Sequence, residues 1–374
     1  MKLTVSKTEF IDGLQAVQNA VSPRSTLPVL SNVLLEACDG HITLTATDGN
    51  LTITSLVRAN VHEHGSITLP AKRISGIVRE IAALEIELEV EEESADCVIQ
   101  AGSTYFKIRG LSADEFPKVN QLPSDKRINS PQAKIKSMLK RTSFAISSDE
   151  SRYVLNGLYF NLSEGRLTLV ATDGRRLALV EEALDFPPEA EGSFIVPTKT
   201  INELGRLLQT SGELSIELSE GRVAFDLIQE EDGKAVVTAT IISKLIDGSY
   251  PNYRQVIPNE VDERISLGRE EFLQALRRID LMTNDKSSSA KLTFTENNLL
   301  ISANTPDVGE ARESIAINYQ GKEISVAFNP IYLMDPLKAL DNDEVFLELT
   351  DELSPGVIKI NDPFLYVIMP MRLQ

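Results

Sequence analysis

The chain has 374 residues, 42% of them hydrophobic and 25% charged, with a formal net charge of -18. That balance belongs to a folded globular protein of two to four domains and excludes a disordered or fibrous chain. The acidic total also argues against nucleic acid, because non-specific DNA affinity comes mostly from Lys and Arg neutralising phosphates, unless positive charge is segregated on one surface.

Residues 1 to 20 show no basic segment followed by an apolar run, and no stretch approaches the roughly 18 apolar residues of a membrane span, so a cytoplasmic location without a membrane partner is expected. Cys38 and Cys97 are too few for a disulfide framework and read as core thiols in a reducing compartment.

In chain order, Leu3 to Phe10 alternates apolar and polar residues and passes into a helix whose apolar positions continue at Leu14 and Val17. Thr43-Leu-Thr-Ala-Thr-Asp-Gly49 then reads as a strand closing on a tight turn, since Gly tolerates the positive backbone angle there. Ile67-Thr-Leu-Pro70 leads into a second helix with Ile74, Ile77, Val78 and Ile81 on one side. Glu85 to Glu93 alternates acid with apolar residues, as a half-solvated strand does, and Asp114-Glu-Phe-Pro117 marks a corner.

The same series returns twice. Asn129 to Ile135 opens a helix with Ile135, Met138, Leu139 and Thr142 on one face, and Thr168-Leu-Val-Ala-Thr-Asp-Gly174 repeats the turn at an offset of 125 residues. Ile195-Val-Pro197 precedes a helix carrying Ile201, Leu204, Leu207 and Leu208, and Gly248-Ser-Tyr-Pro251 is the corner. The third copy starts at Ile265 to Phe272, has Leu299 to Thr305 in the turn position without Asp-Gly, and enters its second helix at Asn329-Pro330. Pro336 inside that helix removes a hydrogen bond, so a kink or a shortened helix is expected. The architecture is therefore α+β, three tandem domains at 1–124, 125–258 and 259–374, each with two helices on antiparallel sheets. Linkers are expected near Gln121 to Arg127 and Ile257 to Glu263.

Taking the helices as 7–21, 71–81, 132–148, 198–208, 269–280 and 329–340, they hold 14 basic against 8 acidic residues, leaving 23 basic and 47 acidic elsewhere. Residues 132–148 carry Lys134, Lys136, Lys140 and Arg141 and no acid, with Lys134 and Arg141 on one face away from the apolar stripe. Helices forming a positive surface, with acidic strands elsewhere, suit a protein that holds a phosphate backbone without reading bases.

Catalysis has little support. Turn chemistry explains Asp48 and Asp173. His62-Glu-His64 supplies two of the three or four ligands a metal needs, and no Gly-rich phosphate loop, Cys pair or nucleophile elbow is present, so no catalytic residue, metal or cofactor is expected. A three-domain scaffold that never meets DNA and an acidic carbohydrate-active enzyme are the competing readings.

Thr26-Leu-Pro-Val-Leu-Ser-Asn32, Arg152-Tyr-Val-Leu-Asn-Gly157, Ala171-Thr-Asp-Gly-Arg-Arg-Leu177, Leu245-Ile-Asp-Gly-Ser-Tyr-Pro-Asn-Tyr-Arg254 and Val367-Ile-Met-Pro-Met-Arg-Leu373 resemble the motifs of the bacterial DNA sliding clamps, and the resemblance covers essentially the whole chain. It implies a non-catalytic processivity factor, a head-to-tail homodimer that closes as a ring around duplex DNA independently of sequence. It further implies a pocket between the second and third domains for short apolar motifs of the replicative polymerase, the clamp loader, repair polymerases and mismatch-repair proteins. The matching positions are Leu155, Thr172, Gly174, Arg175, Arg176 and Leu177, then Pro251 and Val256, then Asn329 and Tyr332, and finally Val367, Met369, Pro370, Met371 and Arg372, with Arg152 and Arg176 as rim donors. Gln255 stands where similar sequences carry Arg, and Ser287 where they carry Phe. DNA-facing residues on this arrangement are Arg24, Lys134, Lys136, Lys140, Arg141, Tyr153 and Lys199. The dimer edges are expected at Phe106 and Ile108 in the first domain and Leu281 and Met282 in the third.

Overall fold

The computed structural model describes residues 1–22, 27–91, 95–119, 122, 126–258, 261–284, 289–306 and 308–372. Arg24, Ser287 and Leu373 fall outside them, as do parts of both expected linkers. The first repeat comprises β1 (Lys2–Ser6), α1 (Lys7–Val17), β2 (Asn32–Cys38), β3 (His41–Thr47), β4 (Leu51–Arg58), β5 (Asn60–Glu63), β6 (Gly65–Pro70), α2 (Ala71–Glu80), β7 (Glu85–Glu91), β8 (Asp96–Ala101) and β9 (Thr104–Arg109). The second comprises β10 (Arg127–Pro131), α3 (Gln132–Thr142), β11 (Gly157–Ser163), β12 (Arg166–Thr172), β13 (Arg176–Ala183), β14 (Gly192–Pro197), α4 (Thr198–Leu207), β15 (Glu213–Ser219), β16 (Arg222–Glu231) and β17 (Lys234–Lys244). The third comprises β18 (Glu263–Gly268), α5 (Arg269–Asp280), β19 (Ala290–Thr295), β20 (Asn298–Thr305), β21 (Gly309–Ala316), β22 (Ile324–Phe328), α6 (Pro330–Ala339), β23 (Glu344–Leu349), β24 (Gly356–Lys359) and β25 (Phe364–Ile368). No helix among the described residues is long and apolar enough to cross a membrane.

The chain divides into two compact units, one of Met1–Lys136, Asp185–Ala190 and Asn202–Leu245, the other of Ser137–Leu184, Glu191–Ile201 and Ile246–Gln374. The first unit holds a five-stranded sheet, β5-β1-β7-β8-β9, and an eight-stranded one, β10-β15-β16-β17-β4-β3-β2-β6. The second holds an eight-stranded sheet, β14-β11-β12-β13-β25-β24-β23-β18, and a four-stranded one, β21-β20-β19-β22. Each eight-stranded sheet is joined from two repeats. In the first unit β17 pairs antiparallel with β4, Ala239 opposite Ser55 through Ser243 opposite Leu51. In the second β13 pairs antiparallel with β25, Arg176 opposite Ile368 through Val180 opposite Phe364.

Strand alternation sends one row of apolar side chains inward, as Leu51, Ile53 and Val57 on β4 show. Phe10, Leu14 and Val17 on α1 are fully buried, and Gly13 lets that helix close on β4: a Cβ there would come within 2.3 Å of Val57 Cγ2. Ile135, Met138, Leu139 and Thr142 form the buried stripe of α3 as their spacing predicts. An ion pair recurs across the opening strand of every repeat: Lys2 faces Glu89, Arg127 faces Glu217, and Arg264 faces Glu348. Lys2 Nζ lies 3.0 Å from Glu89, Arg127 Nε 2.7 Å from Glu217, and Arg264 Nη1 3.8 Å from Glu348.

Four expectations change. The helices expected over 7–21 and 132–148 end at Val17 and Thr142 and continue as single 3-10 turns, Gln18–Ala20 and Ser143–Ala145; Thr142 turns its hydroxyl back onto Met138 O at 2.8 Å, closing α3. The third copy of the turn strand lies one residue out of the expected alignment, because Leu299, Ile301 and Ala303 are the buried residues matching Ile42, Leu44 and Ala46. Cys38 is exposed at a strand end; Cys97 alone is a core thiol, and burial pushes it up to about 12. Finally, of the kink or shortening expected at Pro336, the shortening is absent, since α6 has ten residues, as α2 and α4 do.

The physical reason for that last result is a substitute donor. Proline at 336 cannot supply the N–H that Tyr332 O would accept four residues back, and the buried Tyr366 hydroxyl donates to that oxygen at 2.7 Å instead. Tyr366→Phe is therefore expected to cost about 1–3 kcal/mol, the penalty of an unpaired buried carbonyl, and clearly less in a Pro336→Ala background, where the helix regains its own donor. Denaturant titration of the single and double variants reads the difference; the same cost in both backgrounds would sever this link.

Candidate functional site

The residues expected to form the partner pocket all belong to the second unit. Their centre is the turn between β12 and β13. Asp173 Oδ1 accepts from Arg175 N at 2.8 Å and Arg176 N at 3.1 Å, while Thr172 Oγ1 accepts from Gly174 N at 3.1 Å and donates to Arg176 O at 2.6 Å. Gly174 takes the positive φ of 84° that closes the turn. The first repeat builds the same turn, with Asp48 Oδ1 accepting from Asn50 N and Leu51 N at 2.9 and 2.8 Å. Both aspartates are thus turn-formers.

Beside the turn lies an apolar floor of buried Val170, Leu177 and Val367, with Tyr159, Leu179, Tyr250, Tyr253, Ile257 and Leu365 packed around it. Tyr159 stacks on Tyr250 with ring centroids 4.7 Å apart, and Tyr253 lies 6.0 Å from Tyr159. Burial pushes the Tyr250 phenol well above its ordinary value, so it stays neutral. Leu155 is buried at the end of the turn preceding β11, whereas Pro251 and Val256 are exposed on the segment that carries Tyr250 and Tyr253. After β25, Met369 N donates to Arg175 O at 2.9 Å and Met371 N to Ala327 O at 2.7 Å. This tether leaves the Met369 and Met371 side chains 41% and 37% exposed, an apolar surface that three-bond thioethers can repack around different ligands. Pro370 is half-buried between them and Arg372 is exposed. Asn329 caps α6 by accepting from Ile331 N at 2.9 Å, placing Tyr332 in its first turn.

Arg176 is not a rim donor. Its Nε lies 3.1 Å from Asp173, Nη1 2.5 Å from Asp335, and Nη2 donates to Phe144 O at 2.8 Å, with Cζ 4.4 Å from the Tyr332 ring centre. A guanidinium held on three sides and 10% exposed is a strut in the wall. Arg152 does reach the rim: it is 57% exposed, and its Nη1 lies 3.4 Å from Asp173 O. Asp335, Phe144 and the three tyrosines went unidentified in the sequence reading. Tyr250 and Tyr253 stood inside a quoted motif, but nothing local distinguishes Asp335 from a solvated helix residue.

The expected DNA-facing residues divide. Arg141 is 13% exposed and held by Glu182 and Ser137 O, each at 3.4 Å, because the helix turn that should face solvent is covered there. Lys136 Nζ caps the chain after α4 at Leu208 O, 2.7 Å away. Lys140 is exposed and pairs with Asp341 at 2.8 Å; Tyr153 and Lys199 are exposed, and Lys134 is half-buried. Phe106 and Ile108 lie on edge strand β9, the former 37% exposed and the latter 6%. Leu281 is 76% exposed after α5, and neighbouring Met282 accepts from Thr305 Oγ1 at 2.6 Å. His62 Nε2 is 3.3 Å from Thr4 Oγ1 and His64 Nε2 2.7 Å from Asp39; among the described residues no group of three His, Cys, Asp or Glu is placed to hold a metal.

Residues 1–120, 129–252 and 254–372 match the N-terminal, central and C-terminal domains of the DNA polymerase III beta subunit. The chain belongs to the bacterial beta sliding clamp family. It is 34% identical to the beta sliding clamp of Chlamydia muridarum, covering 100% of this chain and 99% of that one, and 34% identical to that of Pseudomonas putida over 100% of both. The sliding clamp of Bartonella birtlesii, crystallised bound to griselimycin, superposes with a TM-score of 0.92 at 35% identity, and that of Bacillus subtilis with 0.92 at 29%, each over 100% of both chains. The family comprises processivity factors of DNA polymerase, subunits without catalytic activity that work with DNA and polymerase.

If Arg176 is a strut, removing its partner should be felt in stability. Asp335→Ala is expected to cost about 1–3 kcal/mol by stripping a charged hydrogen bond from a mostly buried cation. Arg175→Gln, at an exposed position, should stay within about 0.5 kcal/mol. Urea unfolding of the two variants separates them.

Proposed function

We propose that two copies of this chain close head to tail into a ring around duplex DNA in the cytoplasm, and that the site around Leu177 captures the polymerase and other replication and repair proteins. The observation that supports it best is the inventory of strand edges. By position in the repeats β9 matches β17 and β25, and β21 matches β4 and β13. β17 is joined to β4 and β25 to β13, whereas β9 and β21 each end a sheet. An open edge invites another strand, and carrying the same join one step further pairs β9 of one copy with β21 of another, a heterologous contact that closes when the rotation permits. The domains of 1–124, 125–258 and 259–374, three from each of the two copies, would then be the six segments of such a ring.

The two existing joins also suggest the register. Gly110 N donates to Ala95 O as Leu245 N does to Gly221 O, both at 2.9 Å, so Ile108 corresponds to Ser243. With Leu299 matched to Ile42, Ala311 corresponds to Ile53 and Glu310 to Thr52. Phe106 then faces Ala311 of the second copy and Lys107 faces Glu310. Lys107→Glu is expected to shift native mass toward monomer at micromolar concentration, and Glu310→Lys added to it should restore the dimer. Failure of the double variant to recover would exclude this register.

Encirclement makes affinity secondary to topology. Clamp loaded by an ATP-driven loader should stay on nicked circular DNA and run off after the circle is cut; equal retention on both would refute the ring. Lys134, Lys140, Tyr153 and Lys199 are the proposed contacts, and single Lys changes should cost little, since each supplies one screened phosphate contact among several. For capture, one or two large apolar side chains of a partner peptide would each contribute roughly 1.5–3 kcal/mol on the floor of Val170, Leu177 and Val367. Proposed partners are the replicative polymerase, the clamp loader, repair polymerases and mismatch-repair proteins. The griselimycin-bound clamps of Bartonella birtlesii and Pseudomonas aeruginosa are relatives that take a ligand. Leu177→Asp should abolish polymerase capture and leave the dimer intact by native mass; unchanged capture would move the pocket elsewhere.

A further inference from the structure

We propose that Leu281 of one copy seats on the bare backbone around Gly76 of the other, while Arg79 donates to Arg278 O, so that the helix contact between copies lacks the carboxylate that ties helices within each copy. This rests on the ring reading and concerns the helices beside its strand join.

Within the chain, the end of the first helix of one repeat is tied to the second helix of the next. Beside the join of β4 with β17, Asn19 Nδ2 donates to Glu203 Oε1 at 2.9 Å, and Arg206 Nη2 donates to Ala16 O at 2.8 Å. Arg206 also holds Glu203 at 2.6 Å, and Glu203 is buried. Beside the join of β13 with β25, Asp335 takes that place. It accepts from Arg176, whose Nη2 donates to Phe144 O at 2.8 Å, and Lys338 Nζ stands 3.5 Å from it.

α2, α4 and α6 each have ten residues, so counting from their first residues Glu203 and Asp335 correspond to Gly76, and Arg206 and Lys338 to Arg79. Val17, Thr142 and Ile279 are the last buried residues of α1, α3 and α5; counting from them, Asn19 and Phe144 correspond to Leu281, and Ala16 to Arg278. The third helix pair, α5 of one copy with α2 of the other, therefore has no acid at the tying position. The groups that would bind one are missing as well: Leu281 stands where the first join has Asn19, and Gly309 where the second has Arg176. A carboxylate at 76 would be desolvated without a partner, which is costly. In its place Leu281 is 76% exposed, and Gly76 is exposed with nothing of its own copy within 4 Å of a Cβ. Arg79 is exposed and makes no side-chain ion pair among the described residues, so it is free to act as Arg206 does.

Native mass over a dilution series gives the dimer Kd of the full-length protein, and circular dichroism checks that each variant folds. Gly76→Glu is expected to raise Kd at least about tenfold, because its carboxylate meets Leu281 unpaired. Leu281→Asn alone should raise it about tenfold by losing an apolar contact. The double variant rebuilds the pair of Asn19 with Glu203, so its Kd should lie below that of either single variant. Arg79→Gln should raise Kd about 3- to 10-fold, the loss of one hydrogen bond from a charged group at an exposed site. Independent effects of the changes at 76 and 281, or an unchanged Kd in Gly76→Glu or in Arg79→Gln, would overturn the proposal. Lys107→Glu separates the two readings: monomer from that variant beside an unchanged Kd in Gly76→Glu would refute only the helix contact. A wild type that is monomeric at micromolar concentration would remove the ring and the helix contact together.

Discussion

Everything in this molecule follows from the need of a β-strand edge for a partner. Each repeat makes sheets too narrow to end quietly, and a row of unpaired N–H and C=O groups cannot be left against apolar surface. The chain meets the constraint twice internally, through β17 on β4 and β13 on β25. The middle repeat gives one sheet to each compact unit, which is why contact divides the chain into two while sequence divides it into three. The repeated cross-strand pairs of Lys2, Arg127 and Arg264 with their glutamates fix the first strand of every repeat in the same register, so each copy presents its joining strand at the same place.

Identical joins need not have identical chemistry. Where β13 meets β25, the row comprises Val170, Leu177, Leu179, Leu365 and Val367, an apolar surface that gathers tyrosines. The corresponding row where β4 meets β17 carries Thr45, Thr52, Thr54, Thr240 and Ile242. Its hydroxyls satisfy one another and their neighbours: Thr45 with Thr54 at 3.2 Å, Thr47 with Thr52 at 2.8 Å, Thr240 with Asp226 at 2.6 Å. A hydroxyl row of this kind offers no apolar floor, so a short hydrophobic peptide gains little there. The repeat supplies the scaffold, and threonines at four positions, where the other join has Val170, Leu177, Leu179 and Leu365, make the chemical difference between the two joins.

Most of the architecture was legible because it is periodic. The turn at Thr43 to Gly49 and its copy at Thr168 to Gly174, the apolar stripes of four helices, and the strand-to-helix passages at Pro70, Pro197 and Pro330 are local patterns, and local patterns survive in one sequence. Helix ends were less legible, since Thr142 ends α3 by bonding back to Met138, a choice made by its hydroxyl and not by hydrophobic spacing. The site was legible only in part. Leu177, Val367, Met369 and Met371 sit in recognisable motifs, but the partner of Arg176 is Asp335, 159 residues away, and no periodicity connects them. Charge counting failed at Arg141 for a similar reason: Glu182 covers it from a distant strand.

Arg176 and Pro336 show how those long-range choices build the surroundings of the proposed pocket. Proline in α6 leaves Tyr332 O without its helical donor, and the Tyr366 hydroxyl replaces it from β25, next to Val367 on the floor. Arg176 lies over the face of the Tyr332 ring while Asp335, in the same helix, takes its charge. Tyr332 is therefore held through its backbone by one strand of the join and through its ring by the other. On the proposed function, a ligand meeting these groups would not first have to order them, and preorganisation of that kind would leave more of the apolar contact energy for binding. Met369 and Met371, exposed after β25, would then be the part of the proposed pocket that adjusts to the ligand.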